Sequence, residues 1–168
     1  MLKKLIFVLI ACFAITLISC VEQKILKPSV PFDLVETQHA LRDGDSTITG
    51  QAFLKTVGGD VKYGAGSTVI LIPYTRYVEE TVNLRKTAGP FDRIEGNPEV
   101  MKHTKKTVAD GSGKFKFVDL APGKYLLESE ITWGVPNQYG GINKQGGSVN
   151  KVVAIENDGD TVEIMLTL

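Results

Sequence analysis

The sequence predicts an all-β protein, a single β-sandwich of about seven strands that follows an export segment and a tether. Short runs rich in β-branched and aromatic residues are separated by Asp-Gly and Pro-Gly turn signals. Apolar and polar residues alternate with a period of two, most clearly in Lys114–Asp119 and Val162–Leu168. The 168 residues, 43% hydrophobic and 23% charged, suit one globular domain.

The first 19 residues have the pattern of an export signal. Lys3 and Lys4 precede an apolar run from Leu5 to Ile18, which is shorter than the roughly 20 residues of a membrane-spanning helix. Leu17-Ile-Ser-Cys20 resembles the lipobox of bacterial lipoproteins. The resemblance implies that residues 1–19 are cleaved and that the Cys20 thiol carries diacylglycerol. The alternative is an ordinary signal peptide or membrane anchor with an incidental cysteine.

Lipid at Cys20 would make the membrane the first partner of this chain. Two or three acyl chains on one residue, palmitate among them, anchor a protein far more firmly than a single chain does. Val21 is not the Asp that resembles an inner-membrane retention signal, so the outer membrane is favoured in a two-membrane bacterium. Because Cys12 and Cys20 are the two cysteines, the exported domain has no disulfide.

The charge balance argues against nucleic acid as a partner. Cleavage would remove Lys3 and Lys4 and no acidic residue, which leaves 17 basic and 19 acidic side chains, a net charge of −2. Nucleic-acid binding needs a basic surface. The short group Lys102, Lys105 and Lys106 is typical of a solvated strand or loop.

Residues 20–45 are predicted to be the lipidated N-terminus and a tether. The segment contains Pro28, Pro31 and mixed polar residues. A coil of about 25 residues has a reach of roughly 25–30 Å, which would let the domain stand off the membrane. The alternative is a short docked element around Leu34-Val35 and Ala40-Leu41.

Residues 46–168 are predicted to form the sandwich. The run from Ser67 to Tyr74 is too apolar for a strand with one solvated face, so we place it centrally with Pro73 at its exit. Phe115 and Phe117 share one face of their strand. The last two strands are expected to form a closing hairpin about Asn157-Asp-Gly-Asp160. The predicted strands are 47–54, 67–74, 104–109, 114–119, 125–133, 149–155 and 162–168.

The insertion at 75–103 is the least regular part of this domain. A helix from Tyr77 to Lys86 is a candidate, although Val78, Val82 and Leu84 do not form a clean apolar stripe. A connection of this length is often functional.

The domain resembles the carboxypeptidase regulatory-like family, whose members have a transthyretin-like (prealbumin-like) sandwich. The most specific match is the run Asp110-Gly-Ser-Gly-Lys-Phe-Lys-Phe117 followed by Leu120-Ala-Pro-Gly-Lys-Tyr125. Thr49–Ala52 and Val69–Pro73 also fit the family. The resemblance implies an accessory, binding or structural module, with no catalytic residues in the motif.

We predict no catalytic, cofactor or metal site. A zinc site needs three or four ligands, whereas His39 and His103 are the only histidines and both are interpreted as solvated loop residues. The Asp-Gly runs at 43–45, 110–112 and 157–160 match no EF-hand and lie where turns are needed. The Gly-rich run 140–147 lacks a Lys-Ser/Thr pair before a helix and is interpreted as a hairpin end.

Four aromatic residues are candidates for ligand binding: Tyr74, Tyr77, Trp133 and Tyr139. If their loops meet at one end of the sandwich, the rings could stack on a sugar or pack against a protein; the alternative is that Trp133 is core and the tyrosines cap strand ends. Our first hypothesis is a lipid-anchored envelope protein that binds or braces another protein. A carbohydrate-binding module for glycans is the second, and an unrecognised hydrolase is the third.

Overall fold

The computed structural model describes residues 23–168, and two four-stranded sheets form the body of the protein. The predicted all-β sandwich is confirmed. The strands are β1 Ile25–Leu26, β2 Ser46–Lys55, β3 Val61–Tyr63, β4 Thr68–Pro73, β5 Arg93–Ile94, β6 Lys105–Val108, β7 Lys114–Leu120, β8 Gly123–Pro136, β9 Ile142–Ile155 and β10 Thr161–Leu166. The helices are α1 Leu34–Thr37, α2 Arg76–Thr87 and α3 Glu99–Lys102, and a 3-10 turn covers Gln38–Leu41.

The first sheet is built around β2. On one side β10 pairs with β2 in parallel. On the other side β7 and then β3 pair with successive parts of β2, both antiparallel. The second sheet has the antiparallel order β6-β4-β8-β9, so the apolar strand β4 is central and ends at Pro73, as predicted.

The predicted closing hairpin is wrong. β10 pairs with β2 and not with β9, which pairs with β8 along its whole length. The turn at Asn157–Asp160 therefore carries the chain from one sheet to the other. The long hairpin of the fold is β8–β9, and its turn is residues 137–141 at the start of the Gly-rich run.

The main core lies between the two sheets. Phe115 and Phe117 both point into it, each about 5% exposed, with ring centroids 6.2 Å apart in an edge-on arrangement. From the second sheet, the residues at odd positions of β4 and β8 face them, among them Leu71, Tyr125 and Leu127. This alternation is what a period-2 pattern predicts for a strand with one face on a core.

A second, smaller core lies on the outer face of the second sheet. Ile72 and Leu126 point outward from β4 and β8, and Tyr77 and Val78 of α2 bury against them. This arrangement explains why β4 is apolar on both faces: one face packs on the first sheet and the other on a helix. The helix predicted from Tyr77 to Lys86 is confirmed with bounds one residue wider at each end.

Most of the described part of the predicted tether is docked. β1 pairs in parallel with β5, and Glu80 of α2 accepts hydrogen bonds from the backbone N–H groups of Ser29 (2.9 Å) and Val30 (2.7 Å). Glu36 forms an ion pair with Arg76 at the start of α2. We call residues 24–42 the N-terminal strap; it replaces the coil that we expected between the anchor and the domain.

The signal peptide and Cys20 lie outside the described residues. Within residues 23–168, no helix is long and apolar enough to span a membrane.

Candidate ligand-binding cleft

The four candidate aromatic residues lie in two separate places. The backbone N–H of Tyr74 bonds to the carbonyl oxygen of Lys124 at the start of β8, and Tyr77 is buried nearby in α2. Trp133 packs against the main core near the far end of β8, and Tyr139 lies in the β8–β9 turn, 87% exposed. Nine residues of strand, roughly 30 Å, separate Lys124 from Trp133. The rings therefore form no common stacking platform.

A cleft of about 240 Å³ opens beside Tyr77, between α2, the segment 96–101 and the outer face of the second sheet. Ile72 and Leu126 form its floor. Val78 and Val82 line it from the helix, with Val100 and Met101 opposite. We call this cavity the α2 cleft.

Local sequence signals explain the walls of the α2 cleft. Thr75 caps α2 by accepting a hydrogen bond from the Val78 N–H at 3.2 Å, so the helix begins directly after the strand exit. Positions 78 and 82 are one turn apart and face the sheet together. The Tyr77 hydroxyl accepts a hydrogen bond from the Asn97 N–H, which holds the 96–98 segment against the helix. Phe32 of the strap packs edge-on against the Tyr77 ring, with centroids 5.7 Å apart.

An ion pair closes the polar side of the α2 cleft. Nη1 of Arg85 lies 2.8 and 2.9 Å from the two carboxylate oxygens of Glu128. Beyond this pair a shallow groove continues over Lys86, Ser148 and Asn150. The site thus has an apolar interior and a polar extension along β9. Among residues 23–168, Glu128 is the one acidic side chain that lines the cleft, and it is bound to Arg85.

The two histidines are not solvated loop residues, contrary to our interpretation. The His39 ring packs edge-on against Tyr125, with centroids 5.0 Å apart, and its Nε2 lies 3.2 Å from the Lys124 carbonyl oxygen. The His103 ring lies against Phe32, and its Nδ1 is buried without a hydrogen-bond partner among the described residues. Both rings therefore lie where the strap meets the sandwich.

The Asp-Gly runs at 110–112 and 157–160 act as turns, whereas residues 43–45 form no turn. Oδ1 of Asp110 accepts hydrogen bonds from the backbone N–H groups of Ser112 and Lys114, and from the Ser112 hydroxyl. These hydrogen bonds lower the pKa of the Asp110 carboxyl, and the bond from the Lys114 backbone N–H has the largest effect. Over residues 23–168, no three His, Cys, Asp or Glu side chains are grouped so that they could hold a metal ion.

Part of the α2 cleft has a signal in the sequence. Val78 and Val82 are adjacent on one helical face, and β4 has apolar residues on both faces, so a helix packed on the sheet could have been expected. The polar contacts around the cleft, such as Arg85 with Glu128 and Ser29 with Glu80, join residues more than 40 positions apart. Such contacts produce no periodic pattern in the sequence.

No protein-family model and no curated protein matches the chain. Among solved structures, the chain is similar to a putative carbohydrate binding protein from Pseudomonas aeruginosa. The two share 23% identity and a TM-score of 0.70, over 83% of this chain and 99% of the other. A second match, a 9R-lipoxygenase from Cyanothece, has 12% identity and a TM-score of 0.33 over 95% of this chain and 20% of the enzyme. The likeness to the Pseudomonas protein shows that the two chains share a fold.

Proposed function

We propose that this chain is a lipid-anchored, non-catalytic cell-envelope protein whose sandwich binds a protein partner through the α2 cleft. The lipobox-like sequence ending at Cys20 supports the anchor, and Val21 favours the outer membrane if the source has two membranes. The resemblance of residues 46–168 to carboxypeptidase regulatory-like domains supports an accessory role.

The observation that carries the proposed partner class is the apolar lining of the cleft. A cavity of about 150 Å³ is enough to hold a benzene ring. The α2 cleft, at about 240 Å³, therefore suits one large apolar side chain such as Phe or Leu, inserted from a partner. Protein interfaces commonly centre on such an anchor surrounded by polar contacts. Arg85 and Glu128 would supply the polar rim.

Two methionines allow a matched test. Met101 lines the cleft and is 50% exposed, whereas Met165 lies on β10 of the first sheet and is 51% exposed. A photo-crosslinking amino acid placed at either position should leave the fold intact, because both side chains already face solvent. In native membranes we expect a discrete protein adduct from position 101 and none from position 165.

The crosslinking results at positions 101 and 165 show whether a protein partner occupies the α2 cleft. An adduct of the same size at both positions, or none at position 101, would contradict a protein partner in the cleft. Introducing Met101→Glu should abolish the adduct of a crosslinker at Val82, since a charge at the rim opposes an apolar anchor. Met165→Glu should leave that adduct unchanged.

Carbohydrate binding is the second candidate. The Pseudomonas aeruginosa protein that shares this fold is described as a putative carbohydrate binding protein. On this chain, the groove over Lys86, Ser148 and Asn150 offers hydrogen-bond donors and acceptors. Calorimetry with envelope polysaccharide fragments tests this candidate: Asn150→Ala should weaken binding, and Asn83→Ala, an exposed α2 residue outside the groove, should not.

A further inference from the structure

The path of the chain between the anchor and the domain is short. The N-terminal strap is fixed at Ser29 and Val30 by the Glu80 carboxylate, and at Ile25–Leu26 by pairing with β5. The fixed part therefore begins near residue 24. A flexible coil along residues 20–45, as the sequence suggested, would leave the domain free over roughly 25–30 Å.

The described part of the chain begins at Gln23, and we call this point the exit towards Cys20. Gln23 lines a shallow depression with residues 90–94, and the backbone N–H of Lys24 lies 3.4 Å from Oδ1 of Asp92. Cys20 precedes Gln23 by three residues. Three residues span at most about 11 Å when fully extended. A lipid on Cys20 would hold this part of the domain within that distance of the bilayer.

The surface around this exit is apolar and basic. Phe91 is 60% exposed and Ile25 is 59% exposed. Lys24 and Arg93 are exposed beside them, and Ile25 pairs with Arg93 across β1 and β5. Two acidic residues among the described ones lie nearby: Glu95 pairs with Lys27 at 3.2 Å, and Asp92 accepts hydrogen bonds from the Gly89 and Lys24 N–H groups. Glu22 lies outside the described residues. We call Lys24, Ile25, Phe91 and Arg93 the exit surface.

We propose that the exit surface lies on the lipid bilayer, so that the domain is held flat against the membrane and does not hang from a tether. This inference rests on the proposed lipid anchor at Cys20. Aromatic and aliphatic side chains next to Lys and Arg are the composition that partitions into the headgroup region, where apolar side chains insert by about 5–10 Å. Cations near the surface are further attracted to anionic lipids. The strap supplies the rigidity that keeps this surface facing the membrane.

Single thiols test the inference in the acylated full-length protein. The chain has two cysteines, Cys12 in the cleaved segment and Cys20 under the lipid, so a cysteine introduced by Phe91→Cys would be the one free thiol. An environment-sensitive fluorophore is attached there, and the protein is reconstituted in phosphatidylcholine–phosphatidylglycerol vesicles. Val57→Cys is the control, because Val57 is fully exposed in the β2–β3 turn of the first sheet. Ile25→Cys provides a second reporter on the exit surface.

We expect the label at positions 91 and 25 to shift to shorter wavelength and to lose emission when the lipids carry a headgroup-level quencher. The label at position 57 should do neither and should respond to aqueous iodide. If the protein remains on the vesicles but iodide quenches position 91 as strongly as position 57, the bilayer contact is wrong while the anchor stands. If the protein carries no lipid and washes off the vesicles, the anchor and this inference both fail.

Discussion

Glu80 of α2 accepts a 2.7 Å hydrogen bond from the backbone N–H of Val30, and so joins the N-terminal strap to the helix that walls the α2 cleft. The same carboxylate accepts the N–H and the hydroxyl of Ser29. One side chain thus links the N-terminal strap with the proposed binding site.

The Glu80 contact predicts a pH-dependent strap. The backbone hydrogen bonds from Ser29 and Val30 lower the pKa of Glu80 below its usual 4.5. The pKa is lower in the folded state, so the contribution to stability is present above pH 4.5 and is lost as the pH falls through the lowered value. The protection factors of the Ser29 and Val30 amides, which compare the observed exchange rate with the intrinsic rate at the same pH, should therefore fall in acid.

Glu80→Ala, which removes both acceptor oxygens, should lower the protection of these two amides already at neutral pH. Glu163→Ala, at an exposed position on β10, is the control. Unchanged protection at residues 29 and 30 in Glu80→Ala would mean that the strap is held by its other contacts alone.

The contact between Gly123 of β8 and His39 of the strap predicts that substitutions at these two positions have non-additive effects on stability. A Cβ atom on Gly123 would lie 2.3 Å from Cδ2 of His39, so Gly123→Ala should displace the ring and destabilise the protein by about 1–3 kcal/mol. In a His39→Ala background the same change should cost less, and a double-mutant cycle by urea unfolding measures the difference. Gly147→Ala is the control, because a Cβ there meets nothing within 4 Å. Equal costs in both backgrounds would show that the ring does not cause the effect.

Phe117 tests the main core. Phe117→Ala should lower the free energy of unfolding by about 3–5 kcal/mol, as large-to-small changes in buried aromatic residues do. Val118→Ala, on the same strand but 44% exposed, should cost about 0.5 kcal/mol or less. Chemical denaturation of both variants measures the two free energies of unfolding. Similar midpoints for the two would place Phe117 outside the core.

Tyr125 predicts a loss of stability in alkali. Burial raises the pKa of its hydroxyl to about 12, and this hydroxyl donates a 2.8 Å hydrogen bond to the Ala121 carbonyl. A pKa raised in the folded state means that the stabilisation is complete below the usual 10 and is lost as the pH rises towards 12. The urea midpoint should fall between pH 10 and about 12, and Tyr125→Phe should flatten that fall. An equally steep fall of the urea midpoint in Tyr125→Phe would mean that other titrating side chains cause the loss of stability in alkali.

The sequence predicted the positions of the strands better than it predicted which strands pair or that the strap docks on the sandwich. The seven strands were placed because alternation and turn residues are local signals, as Phe115 and Phe117 illustrate. The β9–β10 hairpin was wrong because an Asp-Gly turn reverses the chain without choosing the partner strand.

The site was harder to predict than the strands. The strap was predicted only as the alternative to a coil, a docked element around Leu34-Val35 and Ala40-Leu41, where the structure has a helix and a 3-10 turn. Contacts such as that of Glu80 with Val30, 50 residues away, have no sequence period, so the sequence did not favour that alternative. Tyr77 was singled out as an aromatic residue, yet its role is to line the cleft and hold Asn97. The other three aromatic candidates lie outside the cleft lining. The sequence pattern did not show that Tyr74 and Tyr77 lie near the start of β8 and that Trp133 and Tyr139 lie near its other end.

The most direct test of the central proposal is the intact mass of the N-terminal peptide from protein extracted out of native membranes. We expect a chain that begins at Cys20 and carries diacylglycerol on the thiol, and we expect Cys20→Ser to abolish both the lipid and the cleavage. A mature chain that begins at another residue, or a Cys20 with a free thiol, would contradict the proposal.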